Sequence, residues 1–127
     1  MKKNTGTAPL LCIVSFFVFL ICLSAPQISY ADAPKDVTIK YDADSQTLSV
    51  FITHKSLFVG MHHIKTVEIK KNNAVVSTTN YQTQPKEVPF TYTYKVEAAK
   101  GDKLDVIATC SLSGSKTATT TVANAGK

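Results

Sequence analysis

The three histidines of this sequence, His54, His62 and His63, and Cys110, its one cysteine outside the N-terminal apolar run, can bind a transition metal. His62 and His63 are adjacent, and His54 precedes them by eight residues. Cys110 lies far along the chain in Ala108-Thr109-Cys110-Ser111-Leu112-Ser113-Gly114. Imidazole nitrogens with one thiolate suit Fe, Cu or Zn. Metal binding would keep a lone thiol deprotonated and occupied. Each residue also has an ordinary structural use. A histidine at a strand end is often hydrogen-bonded at the surface, and a buried cysteine often acts as a small hydrophobe. Adjacent histidines on a regular strand point to opposite faces, so His63 can join His62 at one centre only where the strand is irregular.

These residues need elements to position them. The mature chain alternates with period two almost throughout, which predicts strands. Val37, Ile39 and Tyr41 form one apolar row. Leu48, Val50, Ile52 and His54 form the next, with Thr47, Ser49, Phe51 and Thr53 opposite. The third run, His62 to Lys71, changes phase between Ile64 and Val67, which predicts a bulge. Asn72-Asn73 is a hairpin turn signal, followed by a short strand at Ala74 to Thr79. Phe90, Tyr92, Tyr94 and Val96 form a fifth row. After the Gly101-Asp102 turn, Leu104, Val106, Ala108, Cys110 and Leu112 share a face. Lys116 to Val122 is a Thr-rich last strand, and Ala123 to Lys127 is expected to fray. The fold class is therefore all-β, an immunoglobulin-like β-sandwich of about seven strands.

That topology gathers the metal-binding residues. The second and sixth strands belong to different sheets. The loop after the second and the turn after the sixth lie at the same end. His54 closes one strand on its apolar face, Cys110 closes the other, and His62-His63 opens the third.

The N-terminus sets the compartment. Lys2 and Lys3 precede an uncharged apolar run from Leu10 to Leu23, and Ser29-Tyr30-Ala31 follows. Positive, apolar, small is the order of a secretory signal peptide, here residues 1–31, cut before Asp32. Residues 32–127 then form the single domain, exported to a bacterial periplasm or secreted, with no membrane attachment after cleavage. Cys12 and Cys22 leave with the leader, so an internal disulfide is excluded from the mature domain. Removing Lys2 and Lys3 leaves twelve basic against nine acidic residues, a charge of +3. The lysines are scattered singly, which argues against a nucleic-acid stripe. No Gly-rich phosphate loop, C-x-x-C or nucleophile elbow occurs, and Ser113 has no acidic orienter for a triad.

Thr53-His54, the block "HHIKTVEI" from His62 to Ile69, and "CSLSG" from Cys110 to Gly114 together resemble the iron-binding domain of desulfoferrodoxin and neelaredoxin, the superoxide reductases. The resemblance runs over roughly Lys35 to Val122 and is nearest to small exported members. It implies a mononuclear non-haem iron with four equatorial imidazoles and an axial thiolate. It also implies reduction of superoxide, or engagement of another small anion, with electrons from an external donor. Carried over, His54 matches the family's His-Pro element, although Lys55 replaces Pro. His62 matches the ligand of its His-aromatic-Ile element, with His63 at the aromatic position. Cys110 matches the axial thiolate, and Lys35 the lysine that draws in superoxide.

Two family histidines are replaced, one by Asp36 and one by Ser113. Asp36 offers an oxygen and Ser113 a weak ligand or a water contact, but neither restores four imidazoles. The residues therefore leave open whether the chain is an oxidoreductase. The competing expectation is a non-enzymatic β-sandwich binding or carrier module with a degenerate or different metal site.

Overall fold

The computed structural model describes residues 33–123. The expected signal peptide and the last four residues lie outside them. Seven strands follow in order: β1 (Asp36–Asp42), β2 (Thr47–Thr53), β3 (Ile64–Lys71), β4 (Ala74–Asn80), β5 (Phe90–Lys95), β6 (Lys103–Cys110) and β7 (Ser115–Thr121). They form a three-stranded sheet, β1-β2-β5, and a four-stranded sheet, β4-β3-β6-β7, with every pairing antiparallel. No helix occurs among the described residues. The all-β sandwich expected from the alternation is the observed architecture.

The rows that predicted the strands also fill the core. Leu48, Val50 and Ile52 of β2 are fully buried, as are Ile64, Val67 and Ile69 of β3 and Leu104, Val106 and Ala108 of β6. Complete burial of one such larger aliphatic side chain is worth about 1.5–3 kcal/mol. β2 is the middle strand of its sheet, with Ile52 opposite Val37 on one side and Phe90 on the other. The two sheets are therefore held by apolar packing without a disulfide, and Cys110 is a buried free thiol.

Turn chemistry fixes the hairpin registers. Between β1 and β2, the Asp42 carboxylate accepts the backbone N–H groups of Asp44 and Ser45 at 3.0 and 3.1 Å, which closes an Asx turn. Between β3 and β4, Asn72 and Asn73 take φ of 51° and 70°, the left-handed pair that a two-residue hairpin loop needs. The Asn72 amide also donates to Asp102 at 2.8 Å and accepts from the Lys103 N–H at 2.9 Å, tying this hairpin to the start of β6.

The phase change in β3 is a bulge. Ile64 stands opposite Cys110 and Thr66 opposite Thr109, so Lys65 is the extra residue. This is why Ile64 and Val67, three apart, both face the core. It also sets the chain before Ile64 beside Cys110. Some expected strand residues fall outside: Val96 and Val122 lie one residue past β5 and β7 but stay buried, while Leu112 is exposed, because β6 ends at Cys110 and residues 111–114 form the turn into β7.

Candidate metal centre

The inward rows of β2 and β6 run out at the same end of the sandwich. His54 continues Leu48-Val50-Ile52 one residue past β2 and is buried. Cys110 is the last inward residue of β6 and is also buried. His62 arrives from the β2–β3 loop, two residues before Ile64, the cross-strand partner of Cys110. One donor atom from each of His54, His62 and Cys110 lies within 4.8 Å of the other two. The two imidazoles meet edge to face, with ring centroids 4.6 Å apart and planes at 82°. Donors bound to one ion at the usual Zn–N and Zn–S lengths stand roughly 3–4.5 Å apart, so this group needs little closure to hold a metal.

Gln84 orients His54. Its Oε1 accepts from the His54 ring at Nδ1 (2.7 Å) and from the Ile64 N–H (3.0 Å), while its Nε2 donates to the His54 carbonyl at 2.7 Å. A carbonyl oxygen shared by two donors requires the proton on Nδ1, which leaves Nε2 as the lone-pair nitrogen for a metal.

Ser111 fixes the other two ligands. Its hydroxyl donates to the Met61 carbonyl at 2.8 Å and accepts from the His63 N–H at 3.1 Å. Its own N–H donates to the His63 carbonyl at 2.8 Å. The residues on both sides of His62 are thus clipped to the neighbour of Cys110. The Met61 and His62 N–H groups also bond the Phe58 carbonyl at 2.9 and 2.8 Å, which makes the loop a tight turn. Beyond Cys110, its N–H donates to the Gly114 carbonyl at 3.0 Å, and the Leu112 N–H points to Sγ at 3.5 Å.

The remaining candidates lie elsewhere. His63 turns away from the cluster: its ring bonds the Tyr81 carbonyl through Nε2 at 3.1 Å, and its buried Nδ1 has no hydrogen-bond partner among the described residues. It precedes the bulge, and its ring lines a different cleft from that of His62. Asp36 is exposed and faces Lys116 at 3.8 Å, outside the donor group. Ser113 is exposed in the turn after Cys110. Lys35 is exposed; its N–H donates to the Thr53 carbonyl at 2.8 Å, and its carbonyl accepts from Lys116 Nζ at 2.6 Å. It is thus bonded to the residue before His54 but does not line the cleft at His62.

Sequence reasoning did not find Gln84 or Ser111. Ser111 follows Cys110 directly, but a serine in a turn is expected for local reasons. Gln84 sits between β4 and β5, where no periodic pattern marks a buried residue.

No family model matches the chain, and no curated protein matches it significantly.

Proposed function

We propose that the chain is an exported, metal-binding sandwich of the immunoglobulin-like kind and of superoxide-reductase type. In this reading His54, His62 and Cys110 hold a mononuclear non-haem iron. The observation that carries it is the convergence of two imidazoles and a thiol within 4.8 Å at the end of the core. The sequence blocks that resemble desulfoferrodoxin supply these three residues in the family's order. His54, His62 and Cys110 would hold the iron, which would supply the one-electron reduction of superoxide, with two protons, to hydrogen peroxide, the electron coming from an external donor. The chain's own part is to hold the ligands. Gln84 fixes the His54 tautomer, Ser111 fixes the approach of His62, and the Leu112 N–H supports the sulfur.

Among the described residues the donors of this group stop at three, and this favours a second reading. Asp36 is engaged with Lys116 and His63 with Tyr81. Two imidazoles and one thiolate are also the strong ligands of blue-copper electron-transfer sites. A copper carrier or electron-transfer module then replaces the reductase.

Metal titration separates the two. Protein freed of any affinity tag and given one equivalent of Fe(II) under argon should retain one iron per chain through desalting. It should show a visible thiolate-to-iron band on oxidation, and Cys110→Ala should lose both. Iron retained by Cys110→Ala overturns the site. Stoichiometric Cu(II) with an intense thiolate band, and no iron retained, decides for the second reading. Superoxide consumption after pulse radiolysis, with a reductant present, tests the catalytic part alone.

A further inference from the structure

A cleft of about 620 Å³ opens beside the donor cluster. His62 forms part of its wall. Leu57, Phe58 and Val88 supply apolar walls, and Lys55 and Lys86 are its charged residues. No acidic side chain lines it; Glu87, next to Lys86 in sequence, is not part of the wall. Neither lysine takes part in an ion pair among the described residues. Leu57 and Phe58 are 94% and 71% exposed, the first almost as open as a side chain can be. The Phe58 backbone is nonetheless held by the two N–H groups of Met61 and His62. Large apolar groups kept in water on a hydrogen-bonded turn mark a surface meant to be covered.

The cleft is of a size that takes a small organic molecule, and its lining has the composition of such sites: mostly apolar, with a few polar groups. Two cations on a cleft wall that holds no acidic side chain select a negative charge. A phenyl ring and aliphatic side chains select a flat apolar body. We propose that this cleft binds an aromatic monoanion, a carboxylate or sulfonate, whose ring covers Leu57 and Phe58 and whose charge is neutralised by Lys55 and Lys86. Because His62 belongs to both the cleft wall and the donor cluster, the bound anion lies against a metal ligand. Binding itself requires no metal, so the inference stands apart from the identity of the ion.

The test uses metal-free protein and two probes of the same ring system, naphthalene-2-sulfonate and the neutral naphthalene-2-sulfonamide, followed by backbone amide NMR shifts. The sulfonate should saturate at one equivalent and shift residues 55–62 and 86–88. The sulfonamide should bind roughly tenfold or more weakly, the scale of two partly exposed charge contacts. The double variant Lys55→Gln/Lys86→Gln should bring the sulfonate down to the sulfonamide's affinity while keeping the dispersed spectrum of the folded chain. Phe58→Ala should weaken both probes together. Cys110→Ala, which removes metal binding under the proposed function, should bind the sulfonate as the parent does. Equal binding of the two probes, shifts centred elsewhere, or an affinity unmoved by the lysine changes overturns the proposal.

Discussion

The Nδ1 proton of His54 is donated to Oε1 of Gln84 at 2.7 Å, and Gln84 returns its amide N–H to the His54 carbonyl at the same distance. One buried glutamine therefore satisfies both the ring and the main chain of the histidine and selects which ring nitrogen faces the cluster. Gln84→Leu should lower metal affinity by about 10–100-fold, the usual effect of losing such an outer partner. It should also destabilise the fold by about 1–3 kcal/mol, since the His54 carbonyl and the Ile64 N–H lose their partner. Gln84→Glu keeps an acceptor for Nδ1 and should retain metal better than Gln84→Leu, at a comparable loss of stability. Metal competition titrations and urea unfolding of the metal-free variants read the two effects separately. Equal metal affinity in parent and Gln84→Leu would show that Gln84 serves the fold alone.

Cys110 should behave as a protected thiol. It is 4% exposed and receives the Leu112 N–H. Ellman's reagent should modify it slowly in the folded metal-free protein, rapidly in urea, and not at all once a metal is bound. His54→Ala and His62→Ala should remove this metal protection, whereas His63→Gln should keep it, because the His63 ring is engaged with Tyr81. Loss of protection in His63→Gln without loss of fold would place that residue in the site after all.

Much of this geometry was legible before any coordinates. The row Leu48-Val50-Ile52-His54 runs unbroken into the core, so burial of His54 follows from its parity with the preceding residues. The same parity places Cys110 behind Leu104, Val106 and Ala108. The break between Ile64 and Val67 announced the bulge. Parity fails where the strand stops: Leu112 has the right spacing, yet the chain has already turned at Ser111 and leaves it in solvent. Parity also says nothing of residues outside strands. Gln84 is buried because two donors and an acceptor converge on its amide, and that is a tertiary fact with no local signal. Asp36 is drawn to Lys116 of β7, a partner eighty residues away.

Gly114 should tolerate no side chain. Its φ is +81°, a region L-residues rarely adopt, and an added Cβ would lie 2.7 Å from the Cβ of Ala33 and 3.1 Å from its Cα. Gly114→Ala should cost about 1–3 kcal/mol, the range for a strained backbone position. Adding Ala33→Gly should recover only part of that loss, because the backbone of Ala33 is close as well and the φ strain remains. Metal affinity should fall too, since the Gly114 carbonyl accepts the Cys110 N–H. Chemical denaturation of the parent, the single variant and the pair gives the partition. Full recovery in the pair would assign the whole effect to the contact with Ala33.

Acid should weaken the fold through Asp105, far from the metal cluster. This carboxylate is buried on β6, accepts the Thr119 hydroxyl, and pairs with Lys103 at 3.1 Å. The Thr119 hydrogen bond and then the lysine hold it below the ordinary carboxylate range, against the opposing effect of burial. A carboxyl group whose folded pKa is depressed adds stability above its unfolded pKa of about 3.9, and that stability drains away as pH falls through the folded value. Urea midpoints of the metal-free protein should therefore decline below about pH 4. Asp105→Asn should be less stable than the parent at neutral pH, with a shallower decline in acid, so that the two curves converge. The Asn amide keeps an acceptor for Thr119 but loses the charge facing Lys103, so the gap between the curves at pH 7 measures the ionised form's share. A gap that stays constant from pH 7 down to pH 2 would show that Asp105 acts by shape and hydrogen bonding, without a contribution from its charge.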